Sequence, residues 1–518
     1  MKIEGYIKLS VIQYNKMKFN ILISGEAGKG PNVLTHLLGR ALVRKGFYVF
    51  YSRDYQSLIR GGNNFNVLTF SNEAVYSNDF KVDVLIDLDE KGLGIHKKRL
   101  KKETVILSGK EKNMFFAGEI FKIYGLDFSL LERELKELKE RFEENIKEAR
   151  KGYEKQKNIF EIEVPDVDII LEGEDRFFIN GSKGISNGAI DSGLDIYYAY
   201  PMTPATPVMN ELAAKQIENN HVVIELENEI AVANAGVGSA ITGAKTMVGT
   251  SGGGFDLMTE TLSLTGIAEI PLVFYLAQRP GPGTGVATYT AQGDLNIARH
   301  SGHGEFPRIV LAPGDPKEAE ELTSQAFYFS QKYQVPSIIL SDKHLSESFY
   351  TLDWKSKITI SKKATEFKRY NSYEKDKEGS ATENPEIIKK NIEERIKKKR
   401  FIEEEAVVFE QFKVYGKTDS ENVIISWGSP KGAILDAIDE LDVKFVQILY
   451  IEPFPKEIWR ELIGKNLILI ENNATGELGE LIKEKAGFNI PDKNKILRYD
   501  GRAFLRDELE FEIKKRLR

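Results

Sequence analysis

Cysteine is absent from all 518 residues of the chain. The chain therefore forms no disulfide, uses no cysteine nucleophile and provides no thiolate for zinc or for an iron–sulfur cluster. Histidine is also scarce, with six residues and no HExxH-type spacing. These two shortages predict that the chain builds no metal site by itself.

Long apolar runs and a strong excess of one charge are missing as well. The longest apolar stretches, such as residues 271–277, are too short to span a bilayer, and the N-terminus lacks the apolar core of a signal peptide. With 72 basic and 78 acidic residues, the formal net charge is −6, which disfavours a nucleic-acid-binding surface. The sequence thus predicts a cytoplasmic protein that binds neither nucleic acid nor membrane.

The composition is that of a globular protein with a sizeable core, at 41% apolar and 29% charged residues. The length suggests roughly three or four domains. Buried strand-like runs alternate with helical segments in three blocks, which predicts an α/β fold with three doubly wound domains. The predicted bounds are 1–160 for the first domain, 175–345 for the second, 346–405 for a polar connecting arm on the surface, and 406–518 for a last small domain.

The first block opens as a βαβ unit around the glycine-rich loop GEAGKG, residues 25–30. Such a loop at a helix N-terminus can receive an anion, but its spacing fits neither a Walker loop nor a Rossmann fingerprint. A tight turn that packs helix on sheet is the alternative. Other predicted features of this block are strands at 18–24, 47–52, 82–88 and 104–109, a Gly61–Gly62 turn and a charged helix over 132–158.

The second block places a polar residue at successive strand ends, each on a glycine- or proline-rich turn. These residues are Thr203, Glu227, Ser251, Arg279 and Thr288. Because the carboxyl ends of parallel strands lie at one edge of a sheet, we expect these side chains to share one pocket.

Two acids stand at one of these turns, before a helix rich in alanine and glycine. Partial burial of Glu227 would raise its pKa into the range useful for proton relay. The alternative interpretation is that both acids are solvated charges that favour the helix dipole, which suits Glu229 in particular.

Arginine and threonine supply the other candidate functions. Arg279, held on a stiff loop, could grip a carboxylate through two hydrogen bonds, with a simple salt bridge as the alternative. Thr203 and Thr288 could donate hydrogen bonds to a reacting carbonyl or its oxyanion. Gln292 and Asp294 are expected to anchor the local turn.

Three central motifs together resemble the alpha subunit of 2-oxoacid:ferredoxin oxidoreductases. They are YPMTPATP at 200–207, ELENEIAVANAGVGSAITGAKTMVGTSGGGFDLM at 225–258 and QRPGPGTGVATYTAQGD at 278–294. GEAGKG and LIRGGNN are similar to motifs of the gamma domain that some members carry fused at the N-terminus. WGSPKGAILDAI, IEPFP and IENNATGELGELI resemble the family's transketolase C-terminal-like domain.

The resemblance implies that the second domain binds the pyrimidine half of thiamine diphosphate. By residue correspondence, Glu227 would bond to the aminopyrimidine ring, Thr203 and Thr288 would contact the substrate, and Arg279 would hold the substrate carboxylate. The residues implied to lie beside the cofactor are Tyr200, Pro201, Ser251 and Gly252, together with Glu227.

The resemblance also implies a partner. The chain has neither the family's GDG-and-asparagine motif nor any cysteine, so a beta subunit would supply the Mg²⁺–diphosphate site and the [4Fe-4S] clusters. Ferredoxin would accept the electrons, and coenzyme A would accept the acyl group as co-substrate. The substrate would be a small 2-oxoacid, either 2-oxoglutarate or one of a broad range.

Several departures from the family pattern leave alternatives open. The family's NEAIA reads SKGIS at 182–186, TSGPG reads TSGGG, GQL reads GEL at 476–478, and the 346–405 arm is short. A non-catalytic paralogue acting as an assembly or interaction subunit is the main alternative. A nucleotide-binding regulatory protein that uses the GEAGKG loop is another, and it predicts affinity for ATP or NAD.

Overall fold

A computed structural model shows a chain folded around three β-sheets flanked by helices. It describes residues 17–56, 62–138, 141–167, 176–353, 356–365 and 371–517. Among these residues the sheets contain seven, seven and five strands. The predicted α/β class is confirmed.

The N-terminal part supplies five strands of the first sheet and the helices that cover it. Its elements are β1 (Lys18–Glu26), α1 (Pro31–Arg44), β2 (Tyr48–Asp54), β3 (Asn63–Ser71), β4 (Val82–Asp87), α2 (Gly92–Ile95), β5 (Leu100–Ser108), α3 (Asn113–Ile123), α4 (Phe128–Glu137) and α5 (Phe142–Lys155). The expected single helix over 132–158 is thus two helices. Gly61 of the expected Gly61–Gly62 turn lies outside the described residues.

This first sheet is mixed, which departs from a doubly wound arrangement. Strand β4 runs parallel to β1 and β5, as expected. Strand β3, however, lies between β1 and β2 and is antiparallel to both. The apolar pattern predicts each strand as buried, but a strand's direction depends on its pairing partner, which the pattern does not specify.

The central part forms the second sheet. Its elements are β6 (Phe177–Asn180), α6 (Gly181–Asp191), β7 (Ile196–Ala199), α7 (Thr206–Lys215), β8 (Val222–Glu225), α8 (Glu229–Ala240), β9 (Thr246–Thr250), α9 (Gly252–Ala268), β10 (Val273–Gln278), α10 (Leu295–His300), β11 (Ile309–Leu311), α11 (Pro316–Tyr333), β12 (Ser337–Asp342), α12 (Lys343–Glu347), β13 (Phe349–Leu352) and α13 (Pro385–Ala406). Strands β8, β7, β9, β10, β12 and β11 lie side by side in that order and are parallel.

The C-terminal part forms the third sheet. Its elements are β14 (Phe412–Gly416), β15 (Asn422–Trp427), α14 (Pro430–Ile438), β16 (Lys444–Ile448), β17 (Tyr450–Glu452), α15 (Trp459–Leu462), β18 (Asn466–Glu471), α16 (Glu477–Ala486), β19 (Lys495–Leu497) and α17 (Arg506–Lys514). Strands β16, β15, β18 and β19 are parallel neighbours, and β14 is an antiparallel edge.

Strands exchanged between sheets tie the three parts together. Strand β6 lies at the start of the predicted second domain and β13 just past its end, yet both extend the first sheet: β13 pairs with β2, and β6 pairs with β13. Strand β17 of the C-terminal part pairs antiparallel with β11. Short edge strands such as these complete a sheet far away in sequence, so sequence bounds alone do not delimit the sheets.

The described residues of the predicted polar arm include a strand and a long helix. Strand β13 pairs within the first sheet, and the 22-residue helix α13 follows near the end of the arm. That helix buries Ile402 and Ala406 against the central part, and Glu405 accepts hydrogen bonds from Tyr328 and Tyr333. Among the described residues, no helix combines the length and the apolar character needed to cross a membrane.

Candidate active site

The candidate residues of the central part lie at one edge of the second sheet. Strands β8, β7, β9 and β10 are adjacent and parallel, so the turns after them leave the sheet on the same side. These turns carry Glu227, Thr203, Ser251 and Arg279. The structure therefore brings four of the sequence-predicted positions to one sheet edge.

Direct contacts join three of these turns. The Ser251 hydroxyl donates to the Met202 thioether at 2.6 Å, although sulfur is a weak acceptor. The Arg279 guanidinium donates through Nη1 to the Thr203 carbonyl at 2.8 Å. The Thr203 turn is thus bonded to the turns after β9 and β10.

The expected burial of Glu227 is wrong for this chain, because that side chain is exposed. Glu229, interpreted as a solvated helix charge, is the buried acid instead, with 3% of its surface exposed. Asn228 caps α8 by accepting a hydrogen bond from Ala231 N, which makes Glu229 the first helical residue. Glu227 precedes the cap and is exposed, whereas Glu229 opens the helix and is buried; composition does not show at which residue the helix begins.

Among the described residues, the Glu229 carboxylate lacks a hydrogen bond of the kind that buried acids normally make. Its Oε1 atom is buried and has no hydrogen-bond partner in the described part of the chain. A Cβ at Gly254 would lie 2.6 Å from Oε1, so only glycine leaves room for the carboxylate beside the turn after β9. A buried carboxylate oxygen without a partner is costly, and such atoms mark positions where a ligand completes the hydrogen bond.

Two nearby carboxylates influence the pKa of Arg279. Burial lowers the pKa of Arg279, while the negative charges of Asp294 and Glu229 oppose that shift. Apart from the bond to Thr203, its guanidinium has no hydrogen-bond partner among the residues described here. The site therefore combines a cation with free donors and a buried acid nearby.

Asp294 belongs to the same edge, although sequence analysis assigned it only to a local turn. Its backbone N–H donates to the Gln278 side chain at 3.0 Å. A Cβ at Gly252 would lie 2.5 Å from Asp294 Oδ2, so this carboxylate faces the turn after β9. Burial, helped by the charge of Asp256, raises the pKa of Asp294 to about 6.

The raised pKa of Asp294 predicts a specific pH dependence of stability. Because the folded-state pKa is above that of the unfolded chain, this group stabilises the fold fully below about pH 4, and its contribution is lost as the pH rises through about 6. Asp294→Asn is expected to abolish this loss of folding stability at neutral pH, which is on the order of 2 kcal/mol. The thermal midpoint of the variant should exceed that of the native chain at pH 7.5 and match it at pH 4. Asp166→Asn, at an exposed position, serves as control; equal shifts at both pH values would contradict the prediction.

Thr288 does not offer its hydroxyl to the site. The hydroxyl donates to the Tyr55 carbonyl of the first sheet at 2.7 Å, and a hydroxyl has only one proton to donate. Tyr200, by contrast, is 39% exposed, and Pro201 is exposed too. These two residues line the open side of the sheet edge.

Gln292 anchors the loop after β10 to the third sheet rather than to a local turn. It is fully buried. Its side chain donates to Trp427 O at 2.8 Å and accepts from Asn472 N at 2.9 Å. Its backbone bonds to Asn472 and Asn473. Nothing in the local sequence indicates these partners, which lie more than a hundred residues away.

Gln292→Leu is expected to lower the free energy of unfolding by about 2–4 kcal/mol, because it leaves buried backbone groups of the third sheet without partners. Thermal denaturation of the full chain measures the effect. Gln56→Leu, at an exposed position, is the matched control and should change little. Equal midpoints for the two variants would show that the interface does not depend on Gln292.

Two protein-family models match parts of this chain. The thiamine diphosphate-binding family model of pyruvate flavodoxin/ferredoxin oxidoreductases matches residues 187–414. A second model, pyruvate ferredoxin/flavodoxin oxidoreductase, matches residues 20–113. The first match contains each of the four turns described above.

Relatives with assigned names cover nearly the whole chain. The alpha subunit of 2-oxoacid:ferredoxin oxidoreductase from Saccharolobus solfataricus is 28% identical over 623 residues, which is 96% of this chain and 98% of the relative. The aligned length exceeds the 518 residues present, so the relative contains segments that this chain lacks. The 2-oxoglutarate synthase subunit KorA of Methanocaldococcus jannaschii is 28% identical, over 59% of this chain and 90% of the relative.

A solved structure shares the fold. It is 2-oxoglutarate:ferredoxin oxidoreductase from Magnetococcus marinus with 2-oxoglutarate, coenzyme A and succinyl-CoA bound; it has a TM-score of 0.85 and 23% identity, and the match covers 97% of this chain and 100% of that one. From the two family models and the full-length relatives, the chain belongs to the 2-oxoacid:ferredoxin oxidoreductase family, as an alpha subunit similar to that of 2-oxoglutarate synthase.

Proposed function

We propose that this chain is the catalytic alpha subunit of an enzyme that oxidatively decarboxylates a 2-oxoacid. Coenzyme A accepts the acyl group, CO₂ leaves, and ferredoxin receives the electrons. The observation that carries the proposal is the buried Glu229, whose Oε1 has no partner among the described residues, in a thiamine diphosphate-binding domain and close enough to Arg279 to affect its pKa.

The sheet edge fits the pyrimidine half of thiamine diphosphate. The unpaired Glu229 Oε1 provides the acceptor that a ring nitrogen requires, and the glycines at 252–254 keep the turn after β9 free of side chains. Ser251, Gly252, Tyr200 and Pro201 would surround the ring. When bound, this cofactor supplies the nucleophilic carbon that reacts with the 2-oxo group.

Glu229, rather than the sequence-predicted Glu227, is the acid that we assign to the cofactor. Its task is to share a proton at Oε1 with the bound ring, and its burial keeps bulk water from competing for that position. Glu227, two residues earlier, is exposed in this chain and lies where a second subunit could cover it.

Arg279 binds the substrate carboxylate in this proposal. One of its donors is used by the Thr203 carbonyl, and a guanidinium has five N–H donors, so a fork remains for a carboxylate. The Thr203 hydroxyl is on the same turn and can donate to the substrate. Thr288 could reach the substrate only after releasing the Tyr55 carbonyl.

A partner subunit completes the site. Four large apolar side chains around the sheet edge, each at least 39% exposed, form an apolar rim that suits coverage by another protein: Tyr200, Ile230, Leu257 and Val286. Since this chain has no cysteine, the [4Fe-4S] clusters and the Mg²⁺–diphosphate site would belong to a beta subunit. The electrons then pass to ferredoxin through that partner.

The parts of the chain on either side of the central part correspond to two further domains of the family under this proposal. Residues 1–160 correspond to a gamma-type domain fused in front of the alpha subunit, consistent with the family match at 20–113. Residues 406–518 correspond to a transketolase C-terminal-like domain. The substrate is 2-oxoglutarate or a broader range of 2-oxoacids, in keeping with the names of the relatives.

The test is an assay of the reconstituted complex. The chain is co-expressed with its beta partner, loaded with thiamine diphosphate and Mg²⁺, and assayed for viologen reduction with a panel of 2-oxoacids. We expect reduction that requires both a 2-oxoacid and coenzyme A. A correctly assembled complex that binds thiamine diphosphate but reduces no viologen with any 2-oxoacid would favour the assembly-subunit alternative and contradict the proposal.

A further inference from the structure

A cavity lies where the three parts of the chain meet, and its lining does not include Glu229 or Arg279. Its volume is about 220 Å³. Its wall includes the end of β2, the Tyr289–Thr290 segment, the Lys343–His344 segment and residues 501–505. Segments that adjoin each of the three sheets therefore line one shared cavity.

The wall of this cavity is rich in cations. Arg53, Arg99, Lys343, Arg498 and Arg502 all line it. Two of them are unneutralised: neither Arg53 nor Arg99 forms an ion pair with a carboxylate in the described part of the chain. Both also have a buried guanidinium nitrogen without a hydrogen-bond partner there, Nε in Arg53 and Nη1 in Arg99.

The nearby acids do not balance these charges. Asp54 is the carboxylate in the cavity wall, and its oxygen is 3.8 Å from Arg502 Nη1. Asp500 and Glu508 are already paired with Arg498, and Glu347 lies 3.6 Å from Lys343. His344 adds no charge, because burial lowers its pKa to about 3. The cavity is left with an excess of positive charge.

Aromatic rings fix the guanidinium groups in place. Arg99 lies over Phe65 and Phe80 at 5.3 and 5.2 Å, and Arg502 lies over Tyr289 at 3.9 Å. Rings hold a guanidinium plane without using its N–H donors. The donors therefore remain available to a ligand.

From this geometry we propose that the three-part cavity binds a phosphoryl group of a small molecule. Partly buried guanidinium groups without an anion are unfavourable, and a phosphate offers several acceptor oxygens with up to two negative charges. Two unneutralised arginines and a third held by one long ion pair match that charge. Burial also lowers the pKa of Arg99, and an anion would reverse this shift.

A phosphoryl group bound here would affect the catalytic loop. Tyr289 and Thr290 line the cavity directly after Thr288, which already bonds to the first sheet, and Thr290 N donates to Gly501 O at 3.1 Å. An anion bridging Arg99 and Arg502 would thus strengthen the attachment of this loop to the first and third sheets.

The phosphoryl group could come from two sources. One is the phosphate-bearing end of coenzyme A, the acyl acceptor, and this source rests on the proposed function. The other is free phosphate or a phosphorylated metabolite that acts apart from the reaction. Binding measurements made without a 2-oxoacid separate this inference from the proposed function, because they do not depend on turnover.

The experiment titrates the complex of full-length chain and partner, saturated with thiamine diphosphate and Mg²⁺, with sodium pyrophosphate, adenosine 3′,5′-bisphosphate or coenzyme A in Tris buffer. Calorimetry measures each affinity. Arg99→Gln and Arg502→Gln are expected to weaken binding by about 10- to 100-fold, the range for a hydrogen bond to a charged group. Lys97→Gln removes the same charge two residues before Arg99, at an exposed position, and should leave the affinity unchanged.

The outcomes decide between the sources and test the inference itself. If both arginine variants weaken coenzyme A, and pyrophosphate competes with it, the source is coenzyme A. If they weaken pyrophosphate but not coenzyme A, the cavity binds a separate phosphorylated molecule. Absence of binding of all three probes overturns the proposal, and so does equal affinity in native, Arg99→Gln and Lys97→Gln proteins with native thermal midpoints.

Discussion

Glu229→Gln is expected to slow viologen reduction by the saturated enzyme by about 10²- to 10⁴-fold, the usual contribution of a positioned acid or base to the rate of turnover. Glutamine has nearly the same shape, so it fills the space beside Gly254 without creating a cavity. It cannot, however, exchange a proton at the position of Oε1, which is buried and unpaired among the described residues of the native chain. The substrate KM should change little, because Arg279 and Thr203 remain.

Glu227→Gln is the matched control, made two residues away on an exposed side chain. Both variants should fold, since Glu229 Oε1 makes no hydrogen bond within the described part of the chain that could be lost, and Glu227 is open to solvent. Circular dichroism and thiamine diphosphate binding check assembly in each case. A loss of activity in Glu227→Gln with full activity in Glu229→Gln would restore the assignment made from sequence and refute the one made from burial.

Arg279→Lys is expected to raise the KM for the 2-oxoacid by about 10- to 100-fold, since a charge-assisted fork is replaced by a single point of contact. Because lysine retains the positive charge, the change in KM reports the loss of the two-donor guanidinium geometry rather than a loss of charge. The bond from Nη1 to the Thr203 carbonyl is also lost, which should lower the turnover rate to a lesser extent. Steady-state kinetics over a wide range of 2-oxoacid concentration measures both parameters.

Arg299→Lys provides a comparison at another arginine of the central part, one paired with Glu484 at 2.9 Å instead of facing the site. It should leave the KM near the native value. A similar KM for Arg279→Lys and native enzyme would show that the substrate carboxylate binds elsewhere. The three-part cavity, which contains Arg99, would then be the next position to test.

Much of the fold was accessible from the sequence, because buried strands such as Val273–Gln278 are almost continuously apolar and are bounded by glycine and proline turns. The order of Thr203, Ser251 and Arg279 along the chain indicated one sheet edge, and the structure brings these turns together. The choice between Glu227 and Glu229 was not accessible in the same way. It depends on the residue at which α8 begins. Glu227 precedes the Asn228 cap and is exposed, whereas Glu229 is the first helical residue and is buried.

The sequence by itself determined the α/β class, the family motifs and the lack of any cysteine that could ligate a cluster, because these follow from residue types and their spacing. Tertiary structure alone decided which acid is buried, that Gln292 joins the central part to the third sheet, and that arginines separated by some four hundred residues face one cavity. The physical reason is that burial and charge balance depend on distances between segments far apart in the chain, and no local pattern records those distances.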